Sequence, residues 1–174
     1  MIETMRNVTL TVRVRNRDAD ETYCAIRDFE DYPNHVDDVR SVVVRPGATA
    51  ECAVSDWEVY FRNGPLRWVE IDYFRPEQRS IVFEQESGDF HVFRGNWTVA
   101  ELDHGTTVTF RADFDFGIPS LAGVLEPIAE KVLKEGIATI LAGILGGIEV
   151  VGDPATAAAV DRKLASAAVS GTGC

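Results

Sequence analysis

The chain has 174 residues, of which 45% are apolar and 26% charged, the composition of one globular domain long enough to bury its own core. Seventeen basic against 28 acidic residues leave a formal net charge of −11, a field that repels phosphate backbones and anionic membrane surfaces and argues against nucleic acid as a partner. The three cysteines, Cys24, Cys52 and Cys174, form no CxxC pair, and the opening MIETMRNVTL carries no apolar signal core, so reduced thiols in a cytoplasmic protein are expected.

In chain order, Val8, Leu10, Val12 and Val14 alternate with Thr9, Thr11 and Arg13, which predicts a half-buried strand. Asp18 with Glu21 three residues on resembles a capping box. It precedes Tyr23, Ile26 and Phe29 at helical spacing. Pro33 is expected to stop this helix, and a second short helical turn follows through Val36. The β-branched run Ser41 to Arg45 predicts a second strand.

From Val54 to Phe116 strands and turns alternate. Asn63-Gly64 marks a hairpin, Arg75 to Gln78 a four-residue turn, and Ser87-Gly88-Asp89 and Asp103 to Thr106 two more. Five consecutive antiparallel strands result. A long helix is expected from about Glu126 to Val150, with Ile137, Ile140, Leu141, Ile144 and Leu145 among its apolar positions and Gly136, Gly143, Gly146 and Gly147 making one side small. Its apolar stretch from Gly136 to Val151 contains Glu149 and is shorter than the roughly 20 residues a membrane span needs, so it reads as a helix buried against a sheet. The Gly143-x-x-x-Gly147 spacing is read as close approach to sheet or ligand. After Gly152, alanine, serine and glycine dominate; a weak helix between Asp153 and Val169 and disorder near Cys174 are expected.

The predicted fold class is α+β: a curved seven-stranded antiparallel sheet around one long C-terminal helix, with two short helices after the first strand. One sheet face lies under the helix and the other meets water.

The stretch Asp28 to Val44, DFEDYPNHVDDVRSVVV, resembles the opening of the polyketide cyclase/dehydrase and coenzyme Q-binding family of START-like, helix-grip proteins. The resemblance continues through Trp68 to Phe83, through GDFHVFRGNWTV and into DFGIPSLAGVLEPIAEKVLKEGIATIL, and covers most of residues 5 to 148. It implies a deep, mostly apolar cavity between sheet and helix. Residues 1–151 would then form the ligand-cavity domain and 152–174 a weakly helical or disordered tail. Aromatic polyketide aromatase/cyclases similar to this chain carry a Trp-x-Ser-x-Arg stretch lining the pocket, eight residues before a turn proline. Trp68 stands eight residues before Pro76, with Glu70 and Asp72 at the serine and arginine positions. The tryptophan is kept and the polar chemistry is changed.

Which side chains face the cavity follows from propagating hairpin registers, since a slip of one residue flips a whole strand. A turn at Asn63-Gly64 pairs Arg62 with Pro65 and puts Trp57, Val59 and Phe61 on one face with Trp68 and Glu70. A turn at Arg75 to Gln78 pairs Phe74 with Arg79 and adds Asp72, Ile81, Phe83 and Gln85. A turn at Asp103 to Thr106 pairs Val99 with Phe110, joining His91, Phe93, Trp97 and Val99 to Phe110, Ala112, Phe114 and Phe116. Plain alternation in WVEIDYF gives the opposite result for that strand: it buries Val69, Ile71 and Tyr73 and exposes the two acids.

If the registers hold, Glu70 and Asp72 leave one strand face about 7 Å apart. Burial and mutual repulsion then raise their pKa values, and such a base can remove the acidic proton between two ketones while its acid form protonates a leaving hydroxyl. On a solvated face they are ordinary surface acids. His91 is placed near the cavity mouth as an acid or hydrogen-bond donor, or else at a wet hairpin end. Trp57, Phe61, Trp68, Phe83, Phe93, Trp97, Phe110 and Phe114 are the expected ligand-binding aromatics, and core packing accounts for part of them. Scattered histidines and cysteines offer no metal site, and no GxGxxG, GxSxG or Walker loop occurs.

Two functions fit. One is a cyclase, with or without dehydration or aromatisation, acting on a polyketide-like intermediate and needing no cofactor. The other is a non-catalytic carrier for a quinone, a lipid or a natural product. The implied partners are a lipophilic small molecule and, for the enzyme, an acyl carrier protein. Outward-facing Val69, Ile71 and Tyr73 near Val82 and Val92 would form an apolar patch suited to a homodimer.

Overall fold

The computed structural model describes residues 5–61, 64–103, 105–115 and 119–171, with 119–128 and 167–171 as backbone only. The expectations for Arg62, Asn63, His104, Phe116 and Cys174 lie outside these ranges. Strand β1 (Arg6–Val14) leads into helix α1 (Ala19–Arg27), a 3-10 turn (Phe29–Asp31) and the short helix α2 (Tyr32–His35). The strands β2 (Val39–Pro46), β3 (Cys52–Phe61), β4 (Gly64–Arg75), β5 (Ser80–Gly88), β6 (Val92–Leu102) and β7 (Gly105–Asp115) follow. Helix α3 (Pro119–Leu145), strand β8 (Ile148–Val150) and helix α4 (Pro154–Gly171) complete the order. The strands form one sheet in the order β2-β3-β4-β5-β6-β7-β1-β8, and every pairing in it is antiparallel.

Local chemistry sets the element ends. The Asp18 carboxylate caps α1, accepting from the Glu21 backbone N–H at 2.8 Å. Pro33 does not end α1, which stops at Arg27. It lies in the first turn of α2 instead, where its missing N–H costs no helical bond. The long helix is also displaced from its expected bounds, running from Pro119 to Leu145. Gly146 adopts φ +82° and returns its N–H to the Ala142 carbonyl at 3.0 Å, a left-handed helix stop. Ile148–Val150, expected as the end of that helix, pairs instead with Val12–Val14 of β1 as an eighth strand.

The inner sheet face and α3 share one core. Val8, Leu10 and Val12 of β1, Ile81 and Phe83 of β5, and Val108, Phe110 and Phe114 of β7 are buried with Leu133, Ile140, Leu141, Ile144 and Leu145 of α3. Helix α4 is fastened at both ends of its described side chains. Asp153 caps it, accepting from Thr156 N–H and from Lys134 Nζ, and Lys163 pairs with Asp38 at the start of β2. No helix among the described residues is long and apolar enough to cross a membrane.

Two glycines mark close backbone approaches. A Cβ at Gly143 would lie 2.5 Å from Val36 Cγ2 and 2.9 Å from the His35 carbonyl oxygen, so this position brings α3 onto α2 rather than onto a ligand. A Cβ at Gly95 of β6 would lie 1.9 Å from the Arg111 carbonyl oxygen of β7. Because neither backbone can yield cheaply, Gly95→Ala is expected to lower stability by about 1–3 kcal/mol, read as a reduced denaturant midpoint. An unchanged midpoint would mean that β6 and β7 are not in this close register.

Candidate functional site

The hairpin β3–β4 builds the centre of the site. Trp57 stands opposite Trp68 and Ser55 opposite Glu70, so all four side chains leave the same face of neighbouring strands. Asp72 follows Glu70 by one pleat and faces Phe83 of β5. Glu70 is 5% exposed and Asp72 0%. Between them and to either side, Val69 and Ile71 are half-buried on the outer face and Tyr73 is 43% exposed. The turn registers therefore describe this strand and simple alternation of polar and apolar residues does not. Val69, Ile71 and Tyr73 lie on the outside because Trp68, stacked on Trp57, commits its alternating face of the strand to the interior.

A narrow cavity lies between this face and α3. It is lined by Tyr32, Trp57, Val59, Phe61, Trp68, Glu70, Phe83, Phe93, Trp97, Phe110, Ile137 and Ile140. Its aromatic walls touch one another. Trp57 and Trp68 stack with ring centres 5.8 Å apart and planes 1° from parallel. Tyr32 meets Trp57 edge-on at 5.5 Å, Phe93 meets Trp68 edge-on at 5.5 Å, and Phe83 stacks on Phe110 at 5.8 Å. The space is narrow and flat-sided.

The aromatics expected from the sequence all face inward, yet they do not share one role. Phe114 is completely buried but lies outside the lining, on β7 beside its pairing partner Phe93 of β6. Asp72 also stands behind the wall rather than in it. His91 is the clear correction: it is exposed and takes no part in the cavity. The Gln85 side chain clamps both backbone groups of Phe90, donating to its carbonyl at 2.7 Å and accepting from its N–H at 3.3 Å. That clamp turns the Phe90 ring inward against Trp68 and Phe93 and leaves His91 in solvent before β6 begins. Tyr32, Ile137 and Ile140 reach the site from outside the meander, where hairpin registers carry no signal, and Ser55 joins it from β3, two residues before Trp57 on the same face.

Hydrogen bonds organise the polar corner. The Trp57 indole N–H donates to Ser55 Oγ at 2.7 Å, and Ser55 donates to Asp72 Oδ2 at 2.5 Å. The Tyr32 hydroxyl is spent on the Ile26 carbonyl at 2.5 Å. Asp72 Oδ1 and the Trp68 indole nitrogen are buried without a hydrogen-bond partner. Burial first, and then the charge of Asp72, push Glu70 well above the usual carboxylate range, against smaller opposing effects of the nearby Trp68 N–H and the Ser55 hydroxyl. Burial raises Asp72 to about 7, with Ser55 and Glu70 acting the other way. Near neutral pH the pair therefore retains a proton between its two carboxyls. Among the described residues no group of three His, Cys, Asp or Glu side chains is placed to hold a metal ion.

An antiparallel sheet gripping a long helix over an aromatic-lined cavity is the START-like, helix-grip fold. The family model for polyketide cyclase / dehydrase and lipid transport proteins matches residues 16–140, and the chain belongs to that family. Among solved structures it is similar to the protein TTHA0849 from Thermus thermophilus, at 21% identity over 92% of this chain and 99% of that one, with a TM-score of 0.72. It is also similar to the ZhuI aromatase/cyclase from Streptomyces sp. R1128, at 21% identity over 82% and 92% of the two chains and TM-score 0.71. A START superfamily protein from Mycobacterium smegmatis matches at 19% identity over 81% and 96%, with TM-score 0.64. No curated protein matches the chain. At these identities the structural likeness establishes the fold.

Both acids bind protons more tightly in the folded than in the unfolded chain, so their protonation favours the fold. For Asp72 the contribution is full below the unfolded value near 4 and is lost as pH rises through about 7. For Asp72 the loss is on the order of a few kcal/mol. Thermal unfolding followed from pH 5 to pH 8 should show a falling melting temperature, and Asp72→Asn should flatten that slope. An equal slope in the variant would place the proton uptake elsewhere.

Proposed function

We propose that the protein closes a ring on a polyketide-like intermediate held in this cavity, using the Glu70–Asp72 pair for acid–base chemistry. The observation that carries the reading is the pair itself: two buried carboxyls with raised pKa values at the wall of an aromatic cavity whose described lining holds no cation. The deprotonated form of Glu70 takes the proton from a carbon between two ketones. The resulting enolate carbon bonds to a second carbonyl carbon of the same chain, whose oxygen becomes an alkoxide and receives the proton back from the Glu70 carboxyl. In a second round the Glu70 carboxylate takes the proton from the carbon between the remaining carbonyl and the new carbinol, and as the C=C bond forms the C–O bond breaks and the hydroxyl leaves as water with the proton the carboxyl returns. Asp72, behind the wall and fixed by Ser55, sets the proton affinity of Glu70 and is a positioning residue. With His91 in solvent, Glu70 serves as both base and acid in turn. Confinement turns ring closure into an oriented intramolecular step.

The alternative is a non-catalytic carrier of a quinone, lipid or natural product. The family's description as both cyclases and lipid transporters favours keeping it. Glu70→Gln separates the two, because the amide keeps size and hydrogen bonding and loses basicity. Turnover of a linear poly-ketone should fall by about 10²–10⁴, while affinity for a cyclised product changes only a few-fold. Wild-type turnover in both Glu70→Gln and Asp72→Asn would show that these carboxyls are not the catalytic groups, and a wild-type protein that binds the cyclised product without turning over the linear poly-ketone would belong to the carriers.

For the chain's organisation we propose a cavity domain over 1–151 with 152–174 as an appendage, and for its partners an acyl carrier protein that delivers the substrate. The half-buried Val69, Ile71, Val82 and Val92 beside exposed Tyr73 on the outer face support a homodimer through this face. A dimeric mass is expected by light scattering at tens of micromolar, and a monomeric mass there would oppose it.

A further inference from the structure

The hydrogen bonds from Trp57 through Ser55 to Asp72 have a direction that chemistry fixes. The Trp57 indole N–H donates to Ser55 Oγ at 2.7 Å, and an indole nitrogen cannot accept in return. Ser55 has one hydroxyl hydrogen to give. It is completely buried, and among the described residues its hydroxyl finds its acceptor in Asp72 Oδ2, at 2.5 Å. Glu70 stands opposite Ser55 on the neighbouring strand, yet the hydroxyl is the weakest of the influences on Glu70 and the leading hydrogen-bonding influence on Asp72. A proton on Asp72 Oδ2 would point at the serine hydrogen and leave that hydrogen buried without an acceptor, a state that folded proteins avoid.

The other elements packed around the acids add no charge of their own. Helix α2 brings Tyr32, kept neutral by burial, with its hydroxyl donated to the Ile26 carbonyl. Strand β5 sets Phe83 opposite Asp72 and Gln85 opposite Glu70, and the Gln85 amide is spent on Phe90. Helix α3 offers Ile137 and Ile140. The two carboxyls interact directly with each other, so what distinguishes them is the donor that serves one and not the other. A buried hydrogen bond to an ionised group favours the ionised form by about tenfold or more.

We infer that Ser55 is a positioning residue that orders the proton within the acid pair: its hydroxyl, directed by the Trp57 indole, marks Asp72 as the carboxylate and leaves the shared proton on Glu70, the member that faces the cavity. As pH rises, Asp72 then ionises first and Glu70 second. The assignment itself stands on the hydrogen bonds and holds for an enzyme or a carrier. Its use in ring closure rests on the acid–base reading above, in which the enolising step draws on the Glu70 that has lost its proton.

The test is carbon NMR of isotope-labelled Asp and Glu carboxyls, titrated from about pH 5 to about pH 10, with the two signals assigned by their loss in Glu70→Gln and Asp72→Asn. The Asp72 carbon is expected to move in the first titration and the Glu70 carbon in the second. Ser55→Ala should raise the first titration by about one pH unit or more and spread it over both carbons. Ser55→Thr, which keeps the hydroxyl, should restore the wild-type order. Trp57→Phe, which removes only the directing donor, should shift the first titration the same way by less, and it carries the test if Ser55→Ala does not fold. Glu70 moving first in the wild-type protein overturns the inference. So does a first titration that neither Ser55→Ala nor Trp57→Phe moves, or one that Ser55→Thr moves as far as Ser55→Ala does, since the hydroxyl is then not the agent. If the order holds while Glu70→Gln turns over a linear poly-ketone at the wild-type rate, the acid–base reading falls and the role of Ser55 stands. If the order is reversed while Glu70→Gln is slow, the role of Ser55 falls alone.

Discussion

Two carboxyl groups buried side by side without a cation are the constraint around which this cavity is arranged. A charge taken out of water must be paired, hydrogen-bonded or neutralised by a proton. Here no basic side chain among the described residues lines the space, so the proton does most of the work and the Trp57–Ser55–Asp72 chain of hydrogen bonds does the rest. The arrangement holds only if β3 and β4 keep their register, because Ser55 must stand opposite Glu70 and one pleat from Asp72. Stacking of Trp57 on Trp68 fixes that register from the neighbouring pair. The interaction that shapes the aromatic wall is thus the one that keeps the acids where their proton affinity is high.

The rest of the molecule closes this corner off. Helix α3 presents Ile137 and Ile140 to the cavity and can approach because Gly143 lets α2 lie against it and Gly136 faces the Phe61 ring. Helix α2 contributes Tyr32, whose hydroxyl is turned away to a backbone carbonyl, so it offers the cavity an aromatic surface and no free proton. The left-handed turn at Gly146 then ends α3 and sends the chain back along β1, where Ile148–Val150 extend the sheet. Lid, wall and edge strand are consequences of where small residues permit close contact.

Membership in a family of cyclases, dehydrases and lipid transporters fixes the fold and the general kind of ligand. An aromatic wall accepts flat apolar molecules in general, and here a carboxyl of raised proton affinity, Glu70, is set into it. The fold by itself does not choose between an enzyme and a carrier.

The amino-acid pattern was sufficient for the faces of the strands. Each of the three hairpin turns at Asn63, Pro76 and Asp103 was placed so that its pairing differed by two residues from the observed one: Tyr60, not Arg62, stands opposite Pro65; Phe74 pairs with Ile81 rather than Arg79; and Trp97 rather than Val99 pairs with Phe110. Side chains repeat every two residues along a strand, so an even shift leaves each on its own face. That is why the inward position of Glu70 and Asp72 was legible although the exact partners were not. What required the folded chain were the contacts set by distant segments. The Gln85 clamp on Phe90 decided that a phenylalanine and not His91 turns inward. The free edge of β1 drew Ile148–Val150 out of a helical pattern, because an unpaired strand edge gains hydrogen bonds that a helix end past two glycines cannot supply. The proton affinities of Glu70 and Asp72 likewise belong to the tertiary structure, since they depend on how much water α3 and the aromatic wall exclude.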